Sequence, residues 1–428
     1  MSTVNINVHH VTRVEGHGNI VLNAKNGKIE KCQFDVVEAP RFFEGFVRGR
    51  PYTEINHITS RICGICSVGH STTSAMATEN ALGVELTEQA TLLRKLLFHG
   101  EILDSHILHT YYLVAPDFFG AGSVIPLIGI NRPVVERALR MKKLAGDLCA
   151  IIAGRHTHPV SLVVGGFSHV PKEQELRDMR KQLVDARPDV EASVELFASL
   201  DWPKFERDTE YVSLTKDDEY AFVGGRIKTS DGFEYPVEDY KKVTNEYLVP
   251  HSTAKWTKHN RDEYMVGALA RFNNNFDQLH PKAKEAAAAL GMAPKVTNTF
   301  LNSGAQIVEI AHCLEDSIRI IDELLERGIK QEKPAEIKTK DGEGWASCDV
   351  PRGILFHHYK YEDGLCQEAN CIIPTNQNYG NLNADMEKLA PQIIDQPQDK
   401  IRLMLEMLVR AYDPCISCST HLLDVKFV

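Results

Sequence analysis

The sequence predicts an α+β protein, predominantly helical, in which a central bundle of long helices is flanked by small antiparallel sheets near both ends. Three observations predict it. In mid-chain, apolar residues recur at three- and four-residue spacings, as Leu92, Leu93, Leu96, Leu97, Leu103, Ile107 and Leu108 do, marking one face of a helix. Asn26-Gly27 and Asp363-Gly364 each interrupt a strand-like pattern, the signature of a tight hairpin turn. No linker, repeat or low-complexity tract divides the 428 residues, a length that can bury one large core.

Taken in order, the first sheet is expected over residues 18–38, where apolar and polar positions alternate about the Asn26-Gly27 turn. Long helices follow over 87–114, 134–153, 173–200 and 302–327. Residues 201–252, rich in charge, Gly and Tyr and with a strand-like run at 222–237, read as a small irregular lobe. A second hairpin is expected over 353–373, and a last helix over 399–411. That helix must stop at Asp413-Pro414, because proline lacks the backbone donor and clashes with a continuing turn. Residues 1–428 read as a single domain, with 422–428 as a C-terminal tail.

A net charge of -10 without any basic stripe excludes a nucleic-acid-binding surface. No apolar run approaches the roughly 18–20 residues that span a bilayer, and the first ten residues lack the pattern of a secretory signal, so the chain reads as cytosolic. In a reducing compartment its ten cysteines favour thiolate or metal roles over disulfides. Cys32, Cys149, Cys313, Cys348, Cys366 and Cys371 match no cluster-binding spacing and read as small buried hydrophobes. The other four form two Cys-x-x-Cys pairs, Cys63/Cys66 and Cys415/Cys418.

Two such pairs supply four soft sulfur donors, suited to zinc, an iron-sulfur cluster or another thiophilic metal. The spacing indicates metal without choosing it. A zinc ribbon would hold its pairs within a few tens of residues, whereas these lie near opposite ends of the chain. A redox pair would sit at a helix N-terminus in a small βαβ fold, a context missing here. A site drawn from both ends closes only when the whole chain has folded, which suits the burial of a reactive metal.

The residues around the pairs extend the pattern. Arg61-Ile62-Cys63-Gly64-Ile65-Cys66 with His70, and Asp413-Pro414-Cys415-Ile416-Ser417-Cys418 with His421, resemble the two signature motifs of nickel-iron hydrogenase large subunits. Thr12-Arg13-Val14-Glu15-Gly16-His17, Arg41-Phe42-Phe43-Glu44 with Gly49-Arg50-Pro51, Ser105-His106-Ile107-Leu108-His109 with Asp117, and Pro351-Arg352-Gly353 resemble further family segments in family order. The resemblance runs from about residue 10 to 421 and is closest to the cytosolic, NAD(P)-coupled branch, including the archaeal sulfhydrogenase type.

That resemblance implies reversible heterolytic cleavage of dihydrogen at a nickel-iron centre whose iron carries carbon monoxide and cyanide. Cys63 and Cys415 would be terminal on nickel, and Cys66 and Cys418 would bridge to iron. Glu15 would be the first proton carrier after a terminal thiolate, Cys415. Arg352 would project over the metals, with Asp117 and Asp413 pairing with or orienting it. Pro374 and Thr375 would wrap a cyanide ligand, with Thr375 as donor. Glu44, His421 and the carbonyl of Cys371 would serve a second, octahedral magnesium site.

Residues 422–428 resemble the tail that a maturation protease removes once nickel is loaded. The chain has neither a dinucleotide fingerprint, nor a P-loop, nor a cluster-binding cysteine run. An iron-sulfur small subunit is therefore implied, with flavin and iron-sulfur subunits of diaphorase type carrying electrons to NAD(P), to ferredoxin, or to both by bifurcation. Two alternatives stand beside this reading: a hydrogen-sensing regulatory protein, and a quinone-reducing core subunit of complex I type, which all four cysteines argue against.

Overall fold

The computed structural model describes residues 4–420. Strands Val4–Val8, Gly18–Lys25 and Lys28–Val36 form an antiparallel sheet in that order. Its hairpin turns at Asn26-Gly27, both at positive φ (54° and 77°), the conformation that matches the right-handed twist of the strands. The strand Val4–Val8 lies outside the expected 18–38 span.

The central layer is helical: Glu88–Ile107, Arg132–Ala153, Glu173–Asp185, Arg187–Ala198 and Asn302–Arg327. Thr87 caps the first, its hydroxyl accepting the Ala90 N–H. This helix does not run unbroken to 114, because Leu108–Val114 widens into a π-helical turn, a local insertion frequent at functional sites. The single helix expected over 173–200 is two, since Pro188 lacks the N–H that a continuing helix needs and starts the second one instead. Gly100 lets the first helix cross Arg132–Ala153 closely, for a Cβ there would stand 2.6 Å from Cys149 Sγ.

Residues 201–252 contribute strands to a four-stranded sheet ordered Tyr264–Met265, Glu210–Thr215, Arg226–Thr229, Glu234–Tyr235. Its first pair is parallel and the other two are antiparallel. Toward the C-terminus, Gly342–Val350, Gly353–Glu362 and Leu365–Ile372 form an antiparallel meander. The helix Ser67–Leu82 packs on it at backbone distance: a Cβ on Gly342 would lie 2.0 Å from the Ala81 carbonyl oxygen, and one on Gly344 2.2 Å from that of Ala77. Ser67–Leu82 is not among the expected helices because nearly all of it is buried, which erases the amphipathic stripe that marks a surface helix. Helices Pro374–Ile393 and Gln398–Ala411 complete the fold. Among the described residues no helix is long and apolar enough to cross a membrane.

Candidate metal centre

Both cysteine pairs lie at helix entrances. A short 3-10 turn, Ser60–Ile62, delivers Cys63, and Cys66 is the N-cap of Ser67–Leu82, where the helix dipole favours a thiolate. Cys415 caps the short helix Ile416–Ser419, which contains Cys418. The four side chains are buried and none is in a disulfide. Cys63 Sγ stands 3.4 Å from Cys415 Sγ, and the Cys66 N–H donates to Cys63 Sγ at 3.1 Å. The sulfurs of Cys63, Cys415 and Cys418 lie within 4.8 Å of one another.

The protons show what such a cluster needs. Hydrogen bonds with Cys415, Cys418 and Cys66 hold the Cys63 thiol well below its ordinary value. Hydrogen bonding within the cluster, with burial, pushes Cys66 and Cys415 well above theirs, and burial above all does so for Cys418. Burial and mutual repulsion thus oppose charge on most of these sulfurs. A soft cation that replaces the remaining protons fits this donor set.

The N-terminal loop closes the site from one side. The Glu15 carbonyl accepts the Ile416 N–H and its carboxylate accepts the Ser417 N–H, both at 3.0 Å. Gly16 makes this approach possible: it sits at φ +84°, and a Cβ would come 2.7 Å from both Ile416 Cβ and Ser417 N. Arg41 ties the two cysteine segments together, its Nη2 donating to the carbonyls of Ile62 and Ser417 and its N–H to that of Thr420.

Arg352 enters from the meander. It lies in the two-residue Pro351-Arg352 connection, across which Val350 pairs with Gly353, and its side chain is buried. Nη1 lies 3.2 Å from Cys66 Sγ and 3.3 Å from Ser105 Oγ, while Nη2 donates to Asp413 Oδ1 at 2.6 Å and Nε to the Asp413 carbonyl. Asp413 thus pairs with Arg352. Asp117 does not: it lies just beyond the π-helical turn and accepts from Arg13 Nη2 and from Arg410 Nε and Nη2. Since Arg410 also donates to the Thr12 carbonyl, Asp117 clamps the Glu15 loop and leaves Arg352 to Asp413.

Thr375 Oγ1 accepts the Cys415 N–H at 3.0 Å, leaving its own hydroxyl proton to donate elsewhere. Pro374 opens the same helix at N1, where its missing N–H costs nothing. Glu44 Oε1 accepts the Cys371 N–H at 2.7 Å, so these two candidates meet; His421 lies outside the described residues.

Sequence reasoning missed Ser105 and Glu101. Glu101 is buried and accepts the N–H groups of Val68 and Gly69 in the first turn after Cys66. Burial, with the nearby Cys63, pushes its carboxyl well above the ordinary carboxylate range against the pull of those two donors. An acidic residue inside the apolar periodicity of 87–114 was the available signal. Ser105 opens the segment Ser105-His106-Ile107-Leu108-His109, which by itself gives its hydroxyl no role.

One other cluster has metal-ligand composition. His99, His312 and Asp316 converge within 4.8 Å beside a cavity of about 560 Å³. His312 Nδ1, however, accepts the His280 N–H at 3.1 Å, which places the ring proton on Nε2 and leaves no imidazole lone pair for a metal.

Known proteins share this chain's pattern from end to end. The family described as nickel-dependent hydrogenase matches residues 41–126 and 215–421, and one described as HoxL-like matches 5–39. The chain is 35% identical to the alpha chain of sulfhydrogenase 1 from Pyrococcus furiosus, over 97% of each chain. It is 31% identical to the alpha chain of sulfhydrogenase 2 from the same organism, over 97% of this chain and 98% of the other. An NAD+-reducing [NiFe]-hydrogenase in the H2-reduced state superimposes with TM-score 0.86 at 26% identity, covering 98% of this chain and 100% of that one. The Ni-Fe-Se hydrogenase of D. vulgaris Hildenborough, at 23% identity and TM-score 0.79 over 98% and 100%, shares the fold.

Proposed function

The chain belongs to the nickel-dependent hydrogenase family, and on that premise we propose that Cys63, Cys66, Cys415 and Cys418 hold a nickel-iron centre. The protein is the catalytic large subunit of a nickel-iron hydrogenase, an oxidoreductase acting on dihydrogen. The observation that carries the proposed site is the meeting of four buried sulfurs from both ends of the chain under one buried guanidinium.

When bound, the metal pair supplies a Lewis acid that polarises dihydrogen for heterolysis. The chain's own groups do the rest. In our assignment Cys63, Cys66, Cys415 and Cys418 would hold the nickel and iron, Cys63 and Cys415 as ligands of nickel and Cys66 and Cys418 as ligands shared with iron. The Cys415 thiolate takes the first proton and passes it to Glu15, whose Oε2 is engaged by the Ser417 N–H while Oε1 is left to receive it. Arg352, its donors aimed by Asp413, Ser105 and Cys66, excludes water and presents a fixed positive charge above the sulfurs. Pro374 and Thr375 would face the iron, where the Thr375 hydroxyl, its oxygen engaged by the Cys415 N–H, could donate its proton to a cyanide ligand beside carbon monoxide. Glu44 and the Cys371 carbonyl would, with His421, hold a magnesium ion, a reading supported by the Glu44–Cys371 contact.

Electrons leave for the iron-sulfur clusters of a small subunit, and the sulfhydrogenase relatives are themselves chains of larger enzymes. The similarity to an NAD+-reducing enzyme supports diaphorase-type partners, NAD(P) as acceptor and a cytosolic location, with ferredoxin as a further acceptor in our reading. Residues 422–428 are then the segment a maturation protease removes, with 1–428 otherwise one catalytic domain and 201–252 a lobe within it.

Metal analysis with infrared spectroscopy on the purified complex, wild type against Cys418→Ser, tests the site. Nickel and iron in equal amounts above the partner's cluster iron, with carbon monoxide and cyanide stretches lost in the variant, is the expected result. Zinc without those stretches would overturn the assignment.

A further inference from the structure

The position of Arg352 depends on the backbone that carries it, and that backbone is gripped by another arginine. Arg271, on the helix Ala268–Asn275, is fully buried, and all five of its N–H donors are used. Nε and Nη2 donate to the two carboxylate oxygens of Glu309 at 2.6 and 2.7 Å. Nη1 donates to Asp349 Oδ1 at 2.6 Å and to the Val350 carbonyl at 2.9 Å, and Nη2 to the Pro351 carbonyl at 3.1 Å. Val350 and Pro351 are the two residues before Arg352.

Glu309 is saturated as well. It also accepts the Tyr220 hydroxyl at 2.7 Å and bonds His106 Nε2 at 2.6 Å. A carboxylate held by an arginine can only accept, so His106 donates through Nε2. His106 follows Ser105, whose hydroxyl meets Arg352 Nη1. One ion pair therefore fixes both the turn that bears Arg352 and the helix segment that receives it.

Burying a guanidinium and two carboxylates is a poor way to gain stability, because desolvation consumes most of their attraction. It is an effective way to hold two carbonyls where apolar packing would let them move. We propose that Arg271 and Glu309 are positioning residues for Arg352, setting the guanidinium against Cys66 and Ser105 within the tolerance that dihydrogen turnover requires. The proposal rests on the hydrogenase reading, through the role given there to Arg352.

A double-substitution cycle tests it, with Arg271→Lys and Arg352→Lys made singly and together in the full complex. Lysine keeps the charge at 271 but cannot reach two carboxylates and two carbonyls at once. Arg271→Lys is expected to lower dihydrogen turnover about 10- to 100-fold, the scale of a slightly misplaced catalytic group, with nickel and iron content retained. In the Arg352→Lys background it should cause no further loss. In metal-free protein, amide hydrogen exchange at residues 350–353 should quicken in Arg271→Lys. Multiplicative losses, or wild-type turnover in Arg271→Lys, would overturn the proposal. If Arg271→Lys does not fold, Asp349→Asn, whose Oδ can still accept the Leu214 N–H, carries the same cycle with the same deciding outcomes. Wild-type protein without nickel and iron would defeat the hydrogenase reading itself, a result distinct from either.

Discussion

Glu15 and Cys415, from opposite ends of the chain, are joined as a parallel β-bridge, with the Glu15 carbonyl accepting the N–H of the residue after Cys415. The main chain makes this bond, so the side chain can be altered without losing it.

Glu15→Gln should therefore leave the site assembled, since a glutamine oxygen can still accept the Ser417 N–H. What it cannot do is carry a proton. Dihydrogen oxidation with an artificial acceptor is expected to fall about 100-fold or more, with nickel and iron content unchanged. Activity close to wild type would remove Glu15 from the proton route.

Gly16→Ala should act on assembly. The residue's φ of +84° is strained for alanine, and the new methyl would meet Ile416 Cβ and Ser417 N at 2.7 Å. A destabilisation of about 2–3 kcal/mol is expected, visible as a lower thermal midpoint together with reduced nickel incorporation. An unchanged midpoint would show that the two segments can separate at little cost.

The cysteine positions were legible in the sequence because their chemistry is local. Paired cysteines carry their meaning in their spacing, whereas Glu15 and Arg352 stood out only through the family resemblance of the segments around them. Amphipathic spacing likewise exposed the helices Glu88–Ile107 and Asn302–Arg327. Glu101, Ser105, Arg271 and Glu309 act through partners distant in sequence, and a polar residue inside an apolar run does not say whom it will meet. Asp117 illustrates the opposite error: a carboxylate close to a motif was paired with the wrong arginine, because only the folded chain shows Arg13 and Arg410 beside it. The Ser67–Leu82 helix was hidden by its own burial.

Thr375→Val removes the acceptor of the Cys415 N–H. An unsatisfied buried donor costs about 1–3 kcal/mol, and the hydroxyl proton assigned to cyanide is lost with it. Infrared spectra should show the cyanide stretches displaced more than the carbon monoxide stretch. Equal displacement of all bands, or none, would count against Thr375 as the donor.

Stability should decline on mild acidification. Burial, with the neighbouring His99, pushes the His312 imidazole down to about 4, against the opposing pull of Asp316 and Glu309. Because the folded value lies below the unfolded one of about 6.5, the unfolded chain binds the extra proton first. His312 therefore contributes fully above about pH 6.5, and its contribution fades as pH falls toward 4, by about 3 kcal/mol in all. Denaturant unfolding at pH 7.5 and 5 should show the decline, and His312→Gln should flatten it. A steeper decline in the variant would reverse the assignment.

The contact of Gly342 and Gly344 with the carbonyls of Ala81 and Ala77 leaves no room for a side chain at either point, so sheet and helix meet there backbone to backbone. A methyl group added at either glycine would not be absorbed where it is placed. It would tilt the whole helix, and the tilt would emerge about 20 Å away, at the end where Cys66 stands. Two residues with no chemistry of their own thus help to set the line of the helix that Cys66 caps.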